Sequence, residues 1–360
     1  MKDSNSLRHW LTKFELDHPL VIAGPCSAET EKQLINTAHR LKETATTVLR
    51  AGIWKPRSRP GHFEGVGEKG LIWLNSAKKE TGLLIATEVA SPQHIDLALK
   101  HDIDILWIGA RTTVSPFIIQ ELAEALKDTN KVVLIKNPVN PDLSLWLGAV
   151  ERFYKFNIRN LGVIHRGFPS YEKTKYRNNP EWQITIDLQN NFPNLPLFLD
   201  PSHIAGNRTL IFDLCQTALD LNYDGFMIET HLDPDKAWSD ASQQITPDTL
   251  NKITKKLQIR ESDSDVLEYQ NLLKTMRSEI ELVDHKILEI MAKRMKIVDQ
   301  IGKLKKENNV AILQTKRWNA ILSKMIQEGA ENNLSEDFIL NMFKAIHQES
   351  INHQKKIIDN

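Results

Sequence analysis

LPLFLDPSHIAGNRTLIFDLCQTALDLNYDGFMIETH, residues 195–231, carries the pattern that decides the fold. An apolar run at 195–199 stops abruptly at the polar DPSH of 200–203. Apolar residues at helical spacing follow over 205–221, and a second apolar run at 225–228 ends in Glu229, Thr230 and His231. Strand, helix and strand in that order predict a parallel pair joined by a crossover. Working outward, similar β-branched runs stand at 20–23, 48–54, 83–89, 105–110, 132–135 and 161–164. Helical spacing lies between several of them, as at 29–43, 91–101 and 116–127. Eight strands alternating with helices match the pace of an α/β fold of the (β/α)8 TIM barrel type, for which about 250 residues are typical. A doubly wound open sheet is the competitor, but the sequence has no GxGxxG turn or GxxxxGK[ST] loop to place a nucleotide on it.

The composition changes near residue 260. All 15 prolines, 13 of the 15 glycines and both cysteines come before it, while five of the seven methionines come after. Turn-rich architecture therefore gives way to long uninterrupted helices. The reading is a barrel over 1–260, a linker at 261–266 and an all-α helical domain over 267–360. Lys plus Arg equals Asp plus Glu at 46 each, so no net field favours nucleic acid or an anionic membrane. Two cysteines are too few for a disulfide framework, and no apolar run approaches the roughly 20 residues of a membrane span. With no signal-peptide core at the start, a soluble cytoplasmic protein is expected.

In such a barrel the chemistry sits where strands end. The eight runs lead into GPCS (24–27), KPRS (55–58), TEV (87–89), GART (109–112), KNP (136–138), HRG (165–167), DPSH (200–203) and ETH (229–231). Two sets emerge. Cys26, His203, Glu229 and Asp240 offer a thiolate, an imidazole and two carboxylates, a mixture suited to divalent Mn, Fe, Co or Zn and poorly suited to Mg or Ca. Arg50, Lys55, Arg57, Arg111, Lys136 and Arg166 are six cations converging on one cavity, which calls for a substrate with several negative charges. Cys215, in a helical stretch, reads as core packing.

The ordered motifs, with GNR at 206–208 and LDPDKAWSD at 232–240, resemble those of the 3-deoxy-D-arabino-heptulosonate 7-phosphate (DAHP) synthase family, subgroup type I-beta. The resemblance implies condensation of phosphoenolpyruvate with erythrose 4-phosphate. It implies a metal on Cys26, His203, Glu229 and Asp240, and phosphoenolpyruvate on Arg50, Lys55, Arg111, Lys136 and Arg166. The aldose phosphate falls to Lys55, Pro56, Arg57 and Ser58. Glu88 either positions the attacking water, as a carboxylate does in the family, or neutralises Lys55 or Arg111. The 3-deoxy-octulosonate 8-phosphate synthases rank second, because they typically carry an Asn-containing loop where this chain has KPRS.

In the tail, Leu273, Met276, Ile280, Val283, Ile287, Ile290, Met291, Val298, Ile301 and Leu304 recur at three and four. They predict one amphipathic helix of some 40 residues, about 60 Å long, which needs a partner chain to cover it. Further helices are expected at 314–328 and 335–358. Arg294 and Lys305 share a face about 16 Å apart and can meet one small dianion. The pattern resembles the all-helical AroQ-class chorismate mutases, with matching positions at Arg277, Asp284, Arg294, Lys305, Arg317, Ser350 and Gln354. The resemblance implies a homodimer, with Arg294 and a second copy's Arg277 on the carboxylates of chorismate, and Lys305 and Gln354 on its ether oxygen. Gln314 and Trp318 stand where the family often has carboxylates. A rival reading makes this domain a non-catalytic ligand sensor. Feedback on the barrel by chorismate or prephenate is the expected regulation.

Overall fold

The computed structural model of the chain describes residues 7–55, 61, 63–171, 174–261 and 264–359. They divide into two units, residues 1–262 and 263–360. In the first, eight strands close a parallel barrel in sequential order: β1 (Leu20–Gly24), β2 (Thr46–Arg50), β3 (Leu84–Val89), β4 (Ile105–Ile108), β5 (Val132–Lys136), β6 (Leu161–His165), β7 (Leu197–Leu199) and β8 (Gly225–Glu229). The helices that follow each strand are α1 (Glu31–Lys42), α2 (Glu68–Thr81), α3 (Pro92–Lys100), α4 (Pro116–Ala125), α5 (Leu143–Lys155), α6 (Trp182–Asn191), α7 (Ile211–Asp220) and α8 (Pro247–Lys256).

A local signal starts several of the helical segments. Ser91-Pro92, Ser115-Pro116, Asp200-Pro201 and Thr246-Pro247 each pair a capping oxygen with a proline whose fixed φ suits the first helical turn. Asp200 Oδ1, for instance, accepts the backbone N–H of His203, so the cap also sets the direction of that imidazole. Closure is made by β1 against β8, with Leu20 opposite Gly225 and Gly24 opposite Glu229. Gly24 sits at φ +152°, and a Cβ there would lie 2.0 Å from Arg50 O. Only glycine permits this approach, which brings the ends of β1 and β2 together.

The barrel interior holds Leu20, Ile22, Val48, Trp107, Leu134, Phe198 and Met227, with Trp10 closing the floor and donating from Nε1 to Leu161 O at 2.8 Å. A larger shell of Leu, Ile and Val joins the strands to the helices. The second strand differs from its sequence expectation of 48–54. It spans Thr46–Arg50, and the apolar run continues because Ala51 and Ile53 leave the sheet to join the outer core. Arg50 is therefore the last residue of the strand and points into the barrel mouth.

The second unit has three helices, α9 (Leu267–Glu307, 41 residues), α10 (Thr315–Glu331) and α11 (Glu336–Asp359). Among its described residues, Val298 and Ile339 are the buried large apolar side chains, while Leu272, Met276, Ile280, Val283, Ile287 and Ile290 on α9 are each more than half exposed. A Cβ on Gly302 would lie 3.3 Å from the Cα of Gln354, so the glycine sets how closely α11 can approach α9. Among the described residues, no helix is long and apolar enough to cross a membrane.

Candidate active sites

At the carboxyl ends of the strands, four side chains distant in sequence converge. One ligand atom each from Cys26, Glu229 and Asp240 lies within 4.8 Å of the others. Cys26 Sγ is 3.3 Å from Asp240 Oδ2, and His203 Nε2 is 3.9 Å from Glu229 Oε1. The other ring nitrogen of His203 faces Asp200 Oδ2 at 2.8 Å. Glu229 Oε1 is buried and accepts no hydrogen bond. A carboxylate oxygen left without a donor among a thiol, an imidazole and a second carboxylate fits a divalent first-row ion.

Electrostatics follows from burial. Desolvation, then Glu229, pushes the Cys26 thiol up to about 12. Burial opposes the charge on Lys55, yet Cys26 and Glu229 outweigh it and raise its pKa; its Nζ donates to Cys26 Sγ at 3.0 Å and to Cys26 O at 3.1 Å. Desolvation lowers His203 against the pull of Asp200 and Glu229. Burial also works against ionisation of Glu229 and Asp240, but His203, with Arg50 at the first and Arg177 at the second, holds both below the usual carboxylate range.

The cations form a second layer. Arg50 is buried, reaches Cys26 O at 3.2 Å and lies 3.4 Å from Glu229 Oε1, while its Nε and Nη1 have no hydrogen-bond acceptor. Lys136, at the end of β5, donates to Asp200 Oδ2 at 2.7 Å. That one oxygen therefore serves both Lys136 and His203. His203 and Lys136 outweigh the burial of Asp200 and keep its pKa well below the ordinary value. Arg166 donates to Asn178 Oδ1 at 3.1 Å, and burial pushes its pKa down to about 10. Trp107 lies under this group, with Arg50 at 4.8 Å and Lys136 at 5.9 Å from its ring centroid. Its Nε1 donates to Glu88 Oε2 at 3.0 Å. A Cβ on Gly109 would come within 2.2 Å of Glu88 Oε1, so the glycine leaves room for that carboxylate. Arg111 is exposed on the short turn Ala110–Thr113.

In the helical unit, Arg294 Nη1 donates to Ser350 Oγ at 2.6 Å and Gln354 Nε2 to Ser350 O at 3.3 Å, which leaves Gln354 Oε1 buried without a partner. Lys305 Nζ donates to Ile312 O at 2.5 Å. Burial lowers the pKa of both Arg294 and Lys305. Trp318 stacks on His347 at 4.1 Å, and burial, then Arg294 and Lys305, holds that imidazole below its usual value.

The model of the DAHP synthetase I family matches residues 15–267, the greater part of the chain. The chain belongs to this family. Residues 276–355 match the chorismate mutase type II family. The phospho-2-dehydro-3-deoxyheptonate aldolase of Thermotoga maritima is 34% identical over 227 residues, 62% of this chain and 64% of the relative, just under two thirds of its length. A crystal structure of the Thermotoga maritima DAHP synthase superposes with a TM-score of 0.61 at 30% identity, covering 66% of this chain and 68% of that one. A 2-dehydro-3-deoxyphosphooctonate aldolase of Desulfatibacillum aliphaticivorans is 28% identical over 272 residues, 66% and 90% of the two chains. A bifunctional chorismate mutase/prephenate dehydratase of Buchnera aphidicola subsp. Schizaphis graminum is 37% identical over 90 residues, 25% and 23% of the two chains.

Within this DAHP synthetase I chain, the structure brings Cys26, Arg50, Lys55, Lys136, His203, Glu229 and Asp240 into one contiguous cluster. Glu88 reaches the same mouth through Trp107. Pro56, Arg57 and Ser58 lie outside the described residues. In the helical unit Arg294 joins Ser350 and Gln354, while Arg277, Gln314 and Arg317 stand exposed. Sequence reasoning passed over Asp200, Trp107, Arg177 and Gln243. Asp200 was visible in the DPSH motif and Gln243 stands three residues after Asp240; Trp107 and Arg177 had no local signal.

Proposed function

We propose that the chain is a bifunctional enzyme of aromatic amino acid biosynthesis. The barrel condenses phosphoenolpyruvate with erythrose 4-phosphate to DAHP and phosphate, and the helical unit rearranges chorismate to prephenate. The observation that carries the first activity is the buried Arg50 at the barrel mouth, whose Nε makes no hydrogen bond and whose Nη1 only faces Glu229 Oε1 at 3.4 Å, beside the thiol, imidazole and carboxylates of Cys26, His203, Glu229 and Asp240. A buried guanidinium with unused donors suits an anionic substrate, and that donor set beside it suits a cation.

Arg50, Lys55, Arg111, Lys136 and Arg166 bind the phosphate and carboxylate of phosphoenolpyruvate in this reading, and Lys55, Pro56, Arg57 and Ser58 take the aldose phosphate. Cys26, His203, Glu229 and Asp240 hold the divalent ion. When bound, Mn, Fe, Co or Zn supplies Lewis-acid polarisation of the aldehyde carbonyl. C3 of the enol phosphate forms the new bond to the aldehyde carbon, and Lys55, kept charged by Cys26 and Glu229, protonates the aldehyde oxygen. Water then adds to C2 and Glu88 takes one of its protons; the bond from C2 to the phosphorus-bound oxygen breaks as the C2 hydroxyl becomes the ketone, and its proton leaves with the inorganic phosphate.

Claisen rearrangement needs no general base, only a compact conformer and donors where charge develops. Arg294 and Arg277 of a second copy clamp the carboxylates, Lys305 and Gln354 face the ether oxygen, and Gln314, Arg317 and Ser350 complete the pocket. The exposed apolar side chains of α9 support a homodimer through this unit. Two unpaired buried cysteines, Cys26 and Cys215, suit the reducing cytoplasm.

Supplying phosphoenolpyruvate with either aldose tests the barrel. Erythrose 4-phosphate should be consumed to a seven-carbon product; preferential turnover of arabinose 5-phosphate would replace the assignment with the octulosonate reaction. Feedback is tested in the same assay, where saturating prephenate should slow the synthase by about fivefold or more. An unchanged rate with chorismate and with prephenate removes the regulatory role.

A further inference from the structure

Glu229 and Asp240 each have one oxygen held from behind and one facing the cluster. Glu229 Oε2 accepts a 2.6 Å hydrogen bond from Gln243 Nε2, while Oε1 accepts no hydrogen bond and lies 3.4 Å from Arg50 Nη1. Asp240 Oδ1 accepts from Arg177 Nη1 at 2.9 Å, while Oδ2 is the oxygen beside Cys26 Sγ. The same Arg177 Nη1 also donates to Gln243 Oε1 at 2.7 Å. Glu229, Gln243, Arg177 and Asp240 thus form one continuous chain of hydrogen bonds behind the cluster.

The direction of that chain is fixed by chemistry. Arginine can only donate, so the Gln243 carbonyl must face Arg177 and its NH2 must face Glu229. Gln243 is fully buried in the turn Ala241–Gln243 that begins directly after Asp240, itself in the left-handed region at φ +48°. A backbone bend and a buried amide therefore cooperate to present Oδ2 of one carboxylate and Oε1 of the other to the same point.

We propose that Gln243 and Arg177 are the positioning residues of the metal site, each holding one carboxylate so that a single oxygen meets the ion. This rests on the metal reading of Cys26, His203, Glu229 and Asp240. Outer groups of this kind set ligand orientation, and their loss lowers metal affinity about 10–100-fold. Without Gln243, Glu229 is free to turn both oxygens inward, which raises the number of donors around the ion.

Cobalt(II) titrated into the chelator-treated full chain is the probe. The near-ultraviolet thiolate-to-cobalt band reads Cys26, and the visible ligand-field bands read the coordination number. Gln243→Ala and Arg177→Ala should each weaken Co(II) binding about 10–100-fold. Both should keep the thiolate band, Gln243→Ala should alter the ligand-field bands, and Arg177→Lys should recover part of the affinity. Binding and spectra within twofold of wild type in both alanine variants overturn the proposal. Arg177 is half exposed, so if circular dichroism shows Gln243→Ala unfolded, Arg177→Ala alone decides. A wild-type chain lacking the thiolate band refutes the metal site itself, whereas a wild-type band with unaltered variants refutes only the positioning.

Discussion

Cys26→Ala is expected to abolish metal retention and to lower the synthase rate by about a thousandfold or more, the loss that follows when several kcal/mol of Lewis-acid stabilisation disappear at about 1.4 kcal/mol per decade. The argument starts from the thiol's surroundings. Cys26 is fully buried, and desolvation with Glu229 pushes its pKa up to about 12, so without an ion it carries its proton at neutral pH. Burial lowers His203, and Glu229 and Asp240 lie below the usual carboxylate range. Ion binding through the Cys26 thiol should therefore displace its proton. Affinity should then rise with pH, by about tenfold per unit between pH 6 and 8, because the protonated ligand competes with the ion. Calorimetry in buffers of different ionisation enthalpy measures the release. No proton release, or a Cys26→Ala enzyme that keeps its rate after chelation, defeats this account.

How far the sequence carries the fold can be judged strand by strand. Each run in 195–231 was legible because a short apolar stretch, 195–199 or 225–228, gives way to polar residues at DPSH and ETH, although Glu229 is itself the last and fully buried residue of β8. The second run misled because burial does not distinguish a strand from the coil that follows it: Ala51 and Ile53 are as buried as Val48 and Leu49. Cys26, His203 and Glu229 were legible as residue types at strand ends, and Asp240 as an acid of the last loop. What joins them was not, since Arg177 and Asp240 lie 63 residues apart and meet only through the closure of the barrel mouth. The role of Trp107 was hidden for a related reason. Its position in β4 reads as core, and only three-dimensional packing sets its ring under two cations and its N–H on Glu88.

Lys305→Ala is expected to lower the turnover number of chorismate about 100- to 1000-fold, the loss seen when one donor to a developing oxyanion is removed. Lys305 lies on the last turn of α9, where burial lowers its pKa and its ammonium already holds Ile312 O. A partly desolvated ammonium gains more from a charge that appears during bond breaking than from the neutral ether of the ground state. The loss should therefore fall on kcat, with KM nearly unchanged. Arg294→Ala should show the opposite partition. Its guanidinium, anchored on Ser350 Oγ, meets carboxylates charged throughout the reaction, so KM rises first. Chorismate disappearance in the full chain separates these cases. If Lys305→Ala raises KM and leaves kcat alone, the lysine is a binding group. If the wild-type chain binds chorismate without turnover, the helical unit is a sensor, and Lys305 and Gln354 serve ligand capture alone.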